Sequence, residues 1–72
     1  MATLTTISTT ARNNIEVTLF KRTMRNGNVS YVVDVWLTVE DHCYTDFRSK
    51  DLTAAEEHYN GVVQAVKEGW YP

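Results

Sequence analysis

Three adjacent residues, Asp41, His42 and Cys43, are of the types that build a thiol nucleophile and its base. A cysteine nucleophile needs a histidine close enough to accept its proton. Neighbouring residues of an extended strand point to opposite faces, so His42 and Cys43 could not readily share a proton. We therefore interpret His42 as a turn residue and Cys43 as a small buried thiol. The chain is predicted not to be an enzyme.

Metal and cofactor chemistry also lack a signature. His58 falls on a predicted helix near Glu57, where we expect a solvated or boundary residue, and the two histidines lack a ligand spacing. The single cysteine can form neither an internal disulfide nor a thiolate zinc site, which indicates a reducing compartment. The three glycines are isolated, so there is no phosphate-binding loop. We expect no metal and no cofactor.

Length and composition restrict the class of protein. The 72 residues, 43% of them hydrophobic, allow a single domain, residues 1–72, with a small core that oligomerisation would help to stabilise. The net charge of −2 does not favour non-specific nucleic-acid binding. The chain has no apolar run of membrane-spanning length, and its Thr-rich start lacks the features of a signal peptide. We expect a cytoplasmic protein.

Alternating apolar residues define the elements that must position any site. Residues 29–39 alternate throughout and predict the central strand, residues 14–24 predict a strand before it, and residues 43–48 a short strand after it. A stripe of apolar residues spaced three and four apart predicts a helix over 54–68. The fold class is therefore α+β, a three-stranded antiparallel meander packed on one C-terminal helix. Residues 1–13 form a Thr-rich arm, either flexible or an edge strand.

Two local signals fix details of this fold. An Asn-Gly pair marks the hairpin turn, and a three-residue loop with a left-handed Gly27 pairs Leu19 with Val33, so that both strands bury the same face. Thr53 and Glu56 match a capping box, which predicts Thr53 as the N-cap of the helix.

The face of the sheet opposite the helix is the best candidate for a binding surface. The predicted register sets Phe20 opposite Val32 and Glu16 opposite Trp36, which leaves aromatic residues among charges. The residues predicted to bind a partner are Phe20, Val32, Asp34, Trp36, Tyr44 and Asp46, supported by the acidic turn residues Glu40 and Asp41. The alternative is that the Thr-rich arm or the Trp70-Tyr71 tail covers this face and completes a second small core.

The predicted order is three strands and then a helix, and Tyr44-Thr45-Asp46-Phe47 leads through Leu52-Thr53-Ala54-Ala55-Glu56 to Tyr59. In this order and residue pattern the chain resembles ethylene-response-type and phage-integrase arm-binding domains. The resemblance implies that the open face of the sheet reads DNA. Here such a face would use Arg22, Arg25, Arg48 and Lys50, opposed by Glu16, Asp34 and Asp46.

The opening residues 1–10, rich in threonine, resemble the starts of some phage-encoded anti-CRISPR proteins, which are also small and acidic. This resemblance implies an inhibitor that occupies a basic, nucleic-acid-binding surface of a CRISPR effector subunit in the host cytoplasm.

These observations lead to one hypothesis and one alternative. The expected function is that of a non-enzymatic protein-binding inhibitor or adaptor whose partner has a basic surface, with homodimerisation as a further use of the same face. The alternative is a small DNA-binding regulator that uses the open face.

Overall fold

A computed structural model describes residues 3–69 of the chain. The elements are β1 (Thr3–Arg12), β2 (Ile15–Thr23), β3 (Val29–Leu37), β4 (His42–Ser49) and α1 (Leu52–Lys67). The four strands form one antiparallel sheet in the order β1-β2-β3-β4, and α1 packs across one face. The α+β class is confirmed, but the prediction of three strands is wrong, because the chain forms four. Within residues 3–69 no helix is both long and apolar enough to cross a membrane.

The fourth strand is the Thr-rich segment. β-Branched threonines favour extended backbone, and β1 pairs with β2 along its length, with one irregularity between Thr6 and Ser8. The two strands are joined by Asn13 and Asn14 at φ of 55° and 64°, the conformation of a tight hairpin turn that asparagine tolerates. β1 is thus an edge strand that extends the sheet beside β2 and does not lie across its open face. Trp70 and Tyr71, the alternative cover, lie outside the described residues.

The β2–β3 hairpin has the predicted register. Leu19 pairs with Val33, Val17 with Val35 and Ile15 with Leu37. The turn is closed by the Met24 amide, which donates to the Asn28 carbonyl at 2.7 Å, and by the Gly27 amide, which donates to the Met24 carbonyl at 2.9 Å. Gly27 has a φ of 91°, so the three-residue loop with a left-handed glycine is confirmed.

The core lies between this hairpin and one stripe of the helix. Its buried members come from two strands and α1: Ile15, Val17, Leu19, Val33, Val35, Ala55, Tyr59, Val62 and Val66. Burying one stripe of an amphipathic helix against one face of a sheet removes apolar surface from water, which stabilises the fold. A hydrogen bond of 2.7 Å between the hydroxyls of Tyr59 and Thr10 ties the helix to β1.

The helix begins two residues earlier than its capping signal predicts. Asp51 is the N-cap, with extended backbone, and its Oδ1 accepts the Thr53 amide at 3.0 Å. The predicted N-cap Thr53 is therefore wrong, because Asp51, two residues upstream, caps the helix and accepts the amide of Thr53 itself. Glu56 then lies beyond the position from which a capping box could reach back.

The faces predicted for Cys43, Tyr44 and Asp46 of β4 are also wrong. The β3–β4 register pairs Trp36 with Cys43, Val35 with Tyr44, Asp34 with Thr45 and Val33 with Phe47. Asp46 is the extra residue of a bulge, and counting alternate residues across a bulge reverses the faces. Phe47 and Tyr44 both face the helix, whereas Cys43 and Thr45 lie on the opposite face. The preceding loop is Thr38–Asp41.

Candidate functional site on the open face of the sheet

The open face is the side of the sheet that α1 does not cover, and the strand register arranges its residues in four rows. From the end with the Asn13-Asn14 turn, the rows are Ala11, Glu16, Trp36 and Cys43; then Thr9, Thr18, Asp34 and Thr45; then Thr6, Phe20, Val32 and Arg48; and last Leu4, Arg22 and Ser30. Within each row, residues directly opposite on neighbouring strands share the face, so their side chains are in reach of one another. The Thr9 and Thr18 hydroxyls show this, with 3.2 Å between them.

The apolar side chains of this face are unequally exposed. Val32 retains only 2% of its surface although no helix covers it, whereas Trp36 keeps 39% and Leu4 keeps 60%. Two shallow depressions run over these residues, of about 250 Å³ around Phe20 and Val32 and about 330 Å³ beside Trp36. The face is therefore an uneven apolar surface and not a flat layer of threonines.

Opposite charges occupy the two ends of the open face. Glu16 and Asp34 flank Trp36 at one end, here called the acidic end, and Arg22 and Arg48 lie at the other, here called the basic end. Glu16 and Arg22 are separated by six residues of β2, about 20 Å at about 3.3 Å per residue. None of these four charged groups forms a salt bridge with another residue of the 3–69 range. Their charges are available to a partner.

Asp34 stands out at the acidic end. Its Oδ1 is buried and accepts no hydrogen bond from any residue that the structure describes. A carboxylate oxygen withdrawn from water without a donor is costly, so this oxygen lowers the stability of the fold.

Cys43 lies beside this carboxylate, opposite Trp36, and is exposed, so its interpretation as a buried core thiol is wrong. Local desolvation raises the pKa of the Cys43 thiol, and the charges of Asp34 and Glu16 raise it further. The thiol therefore stays protonated over a wider pH range than a free cysteine, which does not suit a nucleophile.

His42 faces away from Cys43, as predicted from strand alternation, but its interpretation as a turn residue is wrong, because it is the first residue of β4. It pairs with Leu37 on the helix side of the sheet, and its ring lies 5.9 Å from that of Tyr44. The register thus separates the two side chains that a Cys/His pair would bring together.

Two residues of the predicted site lie elsewhere. Tyr44 packs against the core under the helix, and the Asp46 carboxylate contacts the His58 imidazole on α1. The ring of His58 stacks on Phe47 with centroids 4.4 Å apart, so His58 is held in place between β4 and α1. The expectation that Tyr44 and Asp46 lie on the open face is wrong, because the bulge turns this part of β4 toward the helix.

The structure brings four of the predicted residues together on the open face, namely Phe20, Val32, Asp34 and Trp36. Glu40 and Asp41 are exposed in the loop that joins β3 to β4, at the same end of the sheet as Trp36. Leu4, which lines both depressions, was not predicted, because nothing in the Thr-rich segment showed that it would lie beside Phe20.

Among residues 3–69 no group of three or more His, Cys, Asp or Glu side chains is placed to hold a metal ion. Comparison of the chain with family models, curated proteins and solved structures gave no match. The functional assignment is therefore carried by the residues of the open face.

Proposed function

We propose that this chain is a non-enzymatic protein-binding module, an inhibitor or adaptor that acts by covering a basic surface of another protein with its acidic end. The observation that carries the proposal is the position of Trp36, which is 39% exposed, lies opposite Glu16 on β2 and is two residues from Asp34 on β3. An exposed tryptophan ringed by charges is typical of an interface hot spot.

The chemistry of the acidic end suits arginine and lysine. A guanidinium placed over the indole of Trp36 gains a cation–π contact, and the adjacent carboxylates of Glu16 and Asp34 can accept its N–H groups. One basic side chain could therefore satisfy the aromatic and the acidic groups together.

The neighbouring loop extends the negative surface. Glu40 and Asp41 are exposed next to the acidic end, where they would steer a positively charged partner and raise its association rate. In the anti-CRISPR form of this function, suggested by the resemblance of residues 1–10, the partner surface is the nucleic-acid-binding surface of a CRISPR effector in the host cytoplasm.

The test is affinity capture from a bacterial lysate with three immobilised proteins: the native chain, Trp36→Asp and Met24→Asp. Met24 has the same exposure as Trp36, 39%, but lies at the β2–β3 turn, so it controls for the added charge. We expect one partner that the native chain and Met24→Asp retain, that Trp36→Asp loses, and that elutes as salt rises. A partner set unchanged by Trp36→Asp would refute the proposed site.

Purified CRISPR effector complexes provide a second arm. In the anti-CRISPR form, the native chain prevents the effector from binding its target DNA and Trp36→Asp does not. Effectors that bind DNA equally with and without a molar excess of the native chain would exclude that form for the effectors examined.

The alternative function, a DNA-binding regulator, rests on Arg22 and Arg48, which line the same depression around Val32. Their positive charge could contact phosphates, although Glu16 and Asp34 on the same face would repel them. The alternative predicts salt-dependent retardation of duplex DNA at micromolar protein that Arg22→Glu abolishes. Duplex DNA that migrates unchanged at this concentration would discard it.

A further inference from the structure

The charges of the open face are complementary to those of a second copy of the same face. The acidic end carries Glu16 and Asp34 and the basic end carries Arg22 and Arg48, in equal number and unpaired within residues 3–69. We propose that two copies of this chain pack open face to open face, about a two-fold axis that lies between the sheets and runs across the strands. This inference rests on the proposed function, because it names the chain's own basic end as an occupant of the acidic end.

The axis determines which residues meet. A two-fold rotation about a line across the strands places the first row of one sheet over the fourth row of the other and leaves each strand over its own copy. Glu16 is in the first row of β2 and Arg22 in the fourth row of the same strand. Glu16 of one copy therefore faces Arg22 of the second copy, and the symmetry makes this contact twice.

A second pair of charges follows from the same rotation. Asp34 lies in the second row on β3, and Arg48 lies in the third row on the adjacent strand β4. The second row of one copy lies over the third row of the other, so Arg48 of one copy is offset from Asp34 of the other by one strand spacing, about 4.8 Å. The long arginine side chain spans that offset and can reach the partly exposed Asp34, which lines the depression beside Trp36.

The apolar side chains fit the same arrangement. Trp36, in the first row, lies over the fourth row of the second copy, where the guanidinium of Arg22 is a cation–π partner. Phe20 lies over Thr18 of the second copy near the centre of the face. Packed sheets keep their strands within about 30° of each other, so the central contact of Phe20 with Thr18 survives the twist of the sheets.

The charges also exclude the other two-fold arrangement. An axis parallel to the strands would place each row over the same row of the second copy. The acidic ends would then meet each other and the basic ends would meet each other, and such like-charge contacts are unfavourable. The distribution of charge therefore selects the axis across the strands.

The size of the face sets the strength expected of the dimer. Four strands about 4.8 Å apart, each with about six residues of about 3.3 Å rise, give a footprint of roughly 20 by 20 Å. That is below the area of a standard protein interface, about 800 Å² per partner, so we expect a dimer that dissociates on dilution through the micromolar range. Because the dimer closes the acidic end, self-association and binding of a foreign basic partner exclude each other.

Sedimentation equilibrium of charge-reversed variants tests the geometry. We expect the native chain to shift from monomer to dimer as its concentration rises, and Arg22→Glu and Glu16→Arg each to weaken the dimer at least about tenfold, because each creates two like-charge contacts. The two variants mixed in equal amounts should dimerise again, since each supplies the charge that the other needs. Arg25→Glu and Glu57→Arg, exposed and off the open face, are matched controls that should behave as the native chain.

Several outcomes would overturn the proposal. A native chain that remains monomeric at the highest concentration refutes self-association, and a dimer that both charge reversals leave unchanged refutes the arrangement. An equal mixture of the two variants that stays monomeric also contradicts the arrangement. In the proposed dimer, mixing the two variants restores opposite charges at positions 16 and 22, so the mixture should associate.

A fluorescent arginine-rich peptide separates this inference from the proposed function. Arg22→Glu keeps the acidic end whole, so it should bind the peptide and should do so more tightly than the native chain, whose acidic end is closed in the dimer. Peptide binding by a native chain that never dimerises refutes the dimer alone. The expected dimer pattern without peptide binding by Arg22→Glu supports the dimer and contradicts the proposed function.

Discussion

Val32 and Val33 are adjacent, almost fully buried and on opposite faces of the sheet, with 2% and 0% of their surface exposed. Truncating either to alanine removes about two methylene equivalents, a transfer term of about 1.6 kcal/mol at about 0.8 kcal/mol each. Val33 lies in the helix-covered core, where a residual cavity of about 50 Å³ at about 24 cal/mol per Å³ adds about 1.2 kcal/mol. We therefore expect Val33→Ala to lower the free energy of unfolding by about 2.8 kcal/mol.

Val32 is covered differently. Its neighbours across the strands are Phe20 and Arg48, whose side chains lie at the surface and can move into the space that the truncation leaves. The cavity term should vanish, so Val32→Ala should cost about 1.6 kcal/mol or less. Since a chain of this size has about 4–11 kcal/mol of stability in total, both variants should fold.

Urea unfolding at low protein concentration, followed by circular dichroism, measures the difference. With an m-value of about 1 kcal/mol per molar, the two midpoints should differ by about 1 M, and Val33→Ala should be the less stable variant. Equal midpoints would refute the reasoning, because they would mean that the open face is packed as rigidly as the core beneath the helix.

Three further predictions concern other parts of the molecule. Gly27→Ala should destabilise the fold by about 1–2 kcal/mol, because Gly27 has a φ of 91°. Gly61→Ala should stabilise it by about 0.5–1 kcal/mol, because Gly61 lies in the helix with open space around it. Thermal unfolding compares the two variants, and equal shifts of the unfolding midpoint would contradict this prediction. Tyr59→Phe should lower the free energy of unfolding by about 1 kcal/mol and speed amide hydrogen exchange in β1, because it removes the hydroxyl that hydrogen-bonds to Thr10 of that strand. Unchanged exchange would show that this hydrogen bond does not hold β1. Asp34→Asn should lower the pKa of Cys43 and so raise its thiolate fraction and its alkylation rate at mildly alkaline pH. The difference from the native chain should disappear well above the pKa. Equal alkylation rates of the native chain and the variant at every pH would show that Asp34 does not influence the thiol.

The β2–β3 hairpin could be predicted in detail because two independent signals agree. A one-residue change of register would turn Leu19 and Val17 to the open face, so burial alone selects the pairing of Leu19 with Val33. The Asn-Gly pair then fits a three-residue loop with glycine at positive φ. Phe20, Asp34 and Trp36 could be assigned to the open face for the same reason.

β1 could not be recognised as a strand with certainty, because its residues show no apolar alternation. Its side chains are mostly exposed, and the irregularity at Ile7 shifts Leu4 and Thr6 relative to the residues that follow. The strand is held by backbone pairing and by few side-chain contacts, such as Thr10 to Tyr59. The Asn13-Asn14 turn was the available signal, since two asparagines can both adopt positive φ.

The errors in the candidate site have one cause. A bulge has no reliable sequence signature, and the extra residue at Asp46 changes which side chains of β4 face the helix. Tyr44 and Asp46 therefore lie on the helix side and not in the predicted site, while Cys43 lies on the open face and not in the core. The pairing of Asp46 with His58 depends on this bulge and on the packing of α1, so the sequence alone could not predict it.

The most direct test of the central claim, that the acidic end of the open face is a protein-binding surface, is a nitrogen-15 NMR titration of the Arg22→Glu variant with an arginine-rich peptide. Using the variant keeps the acidic end free of a second copy. We expect the largest chemical-shift changes at the amides of Glu16 and Asp34 and at the indole N–H of Trp36. The amide of the exposed helix residue Glu57 should show no change in chemical shift. Shifts confined to the helix, or none at all, would contradict the account.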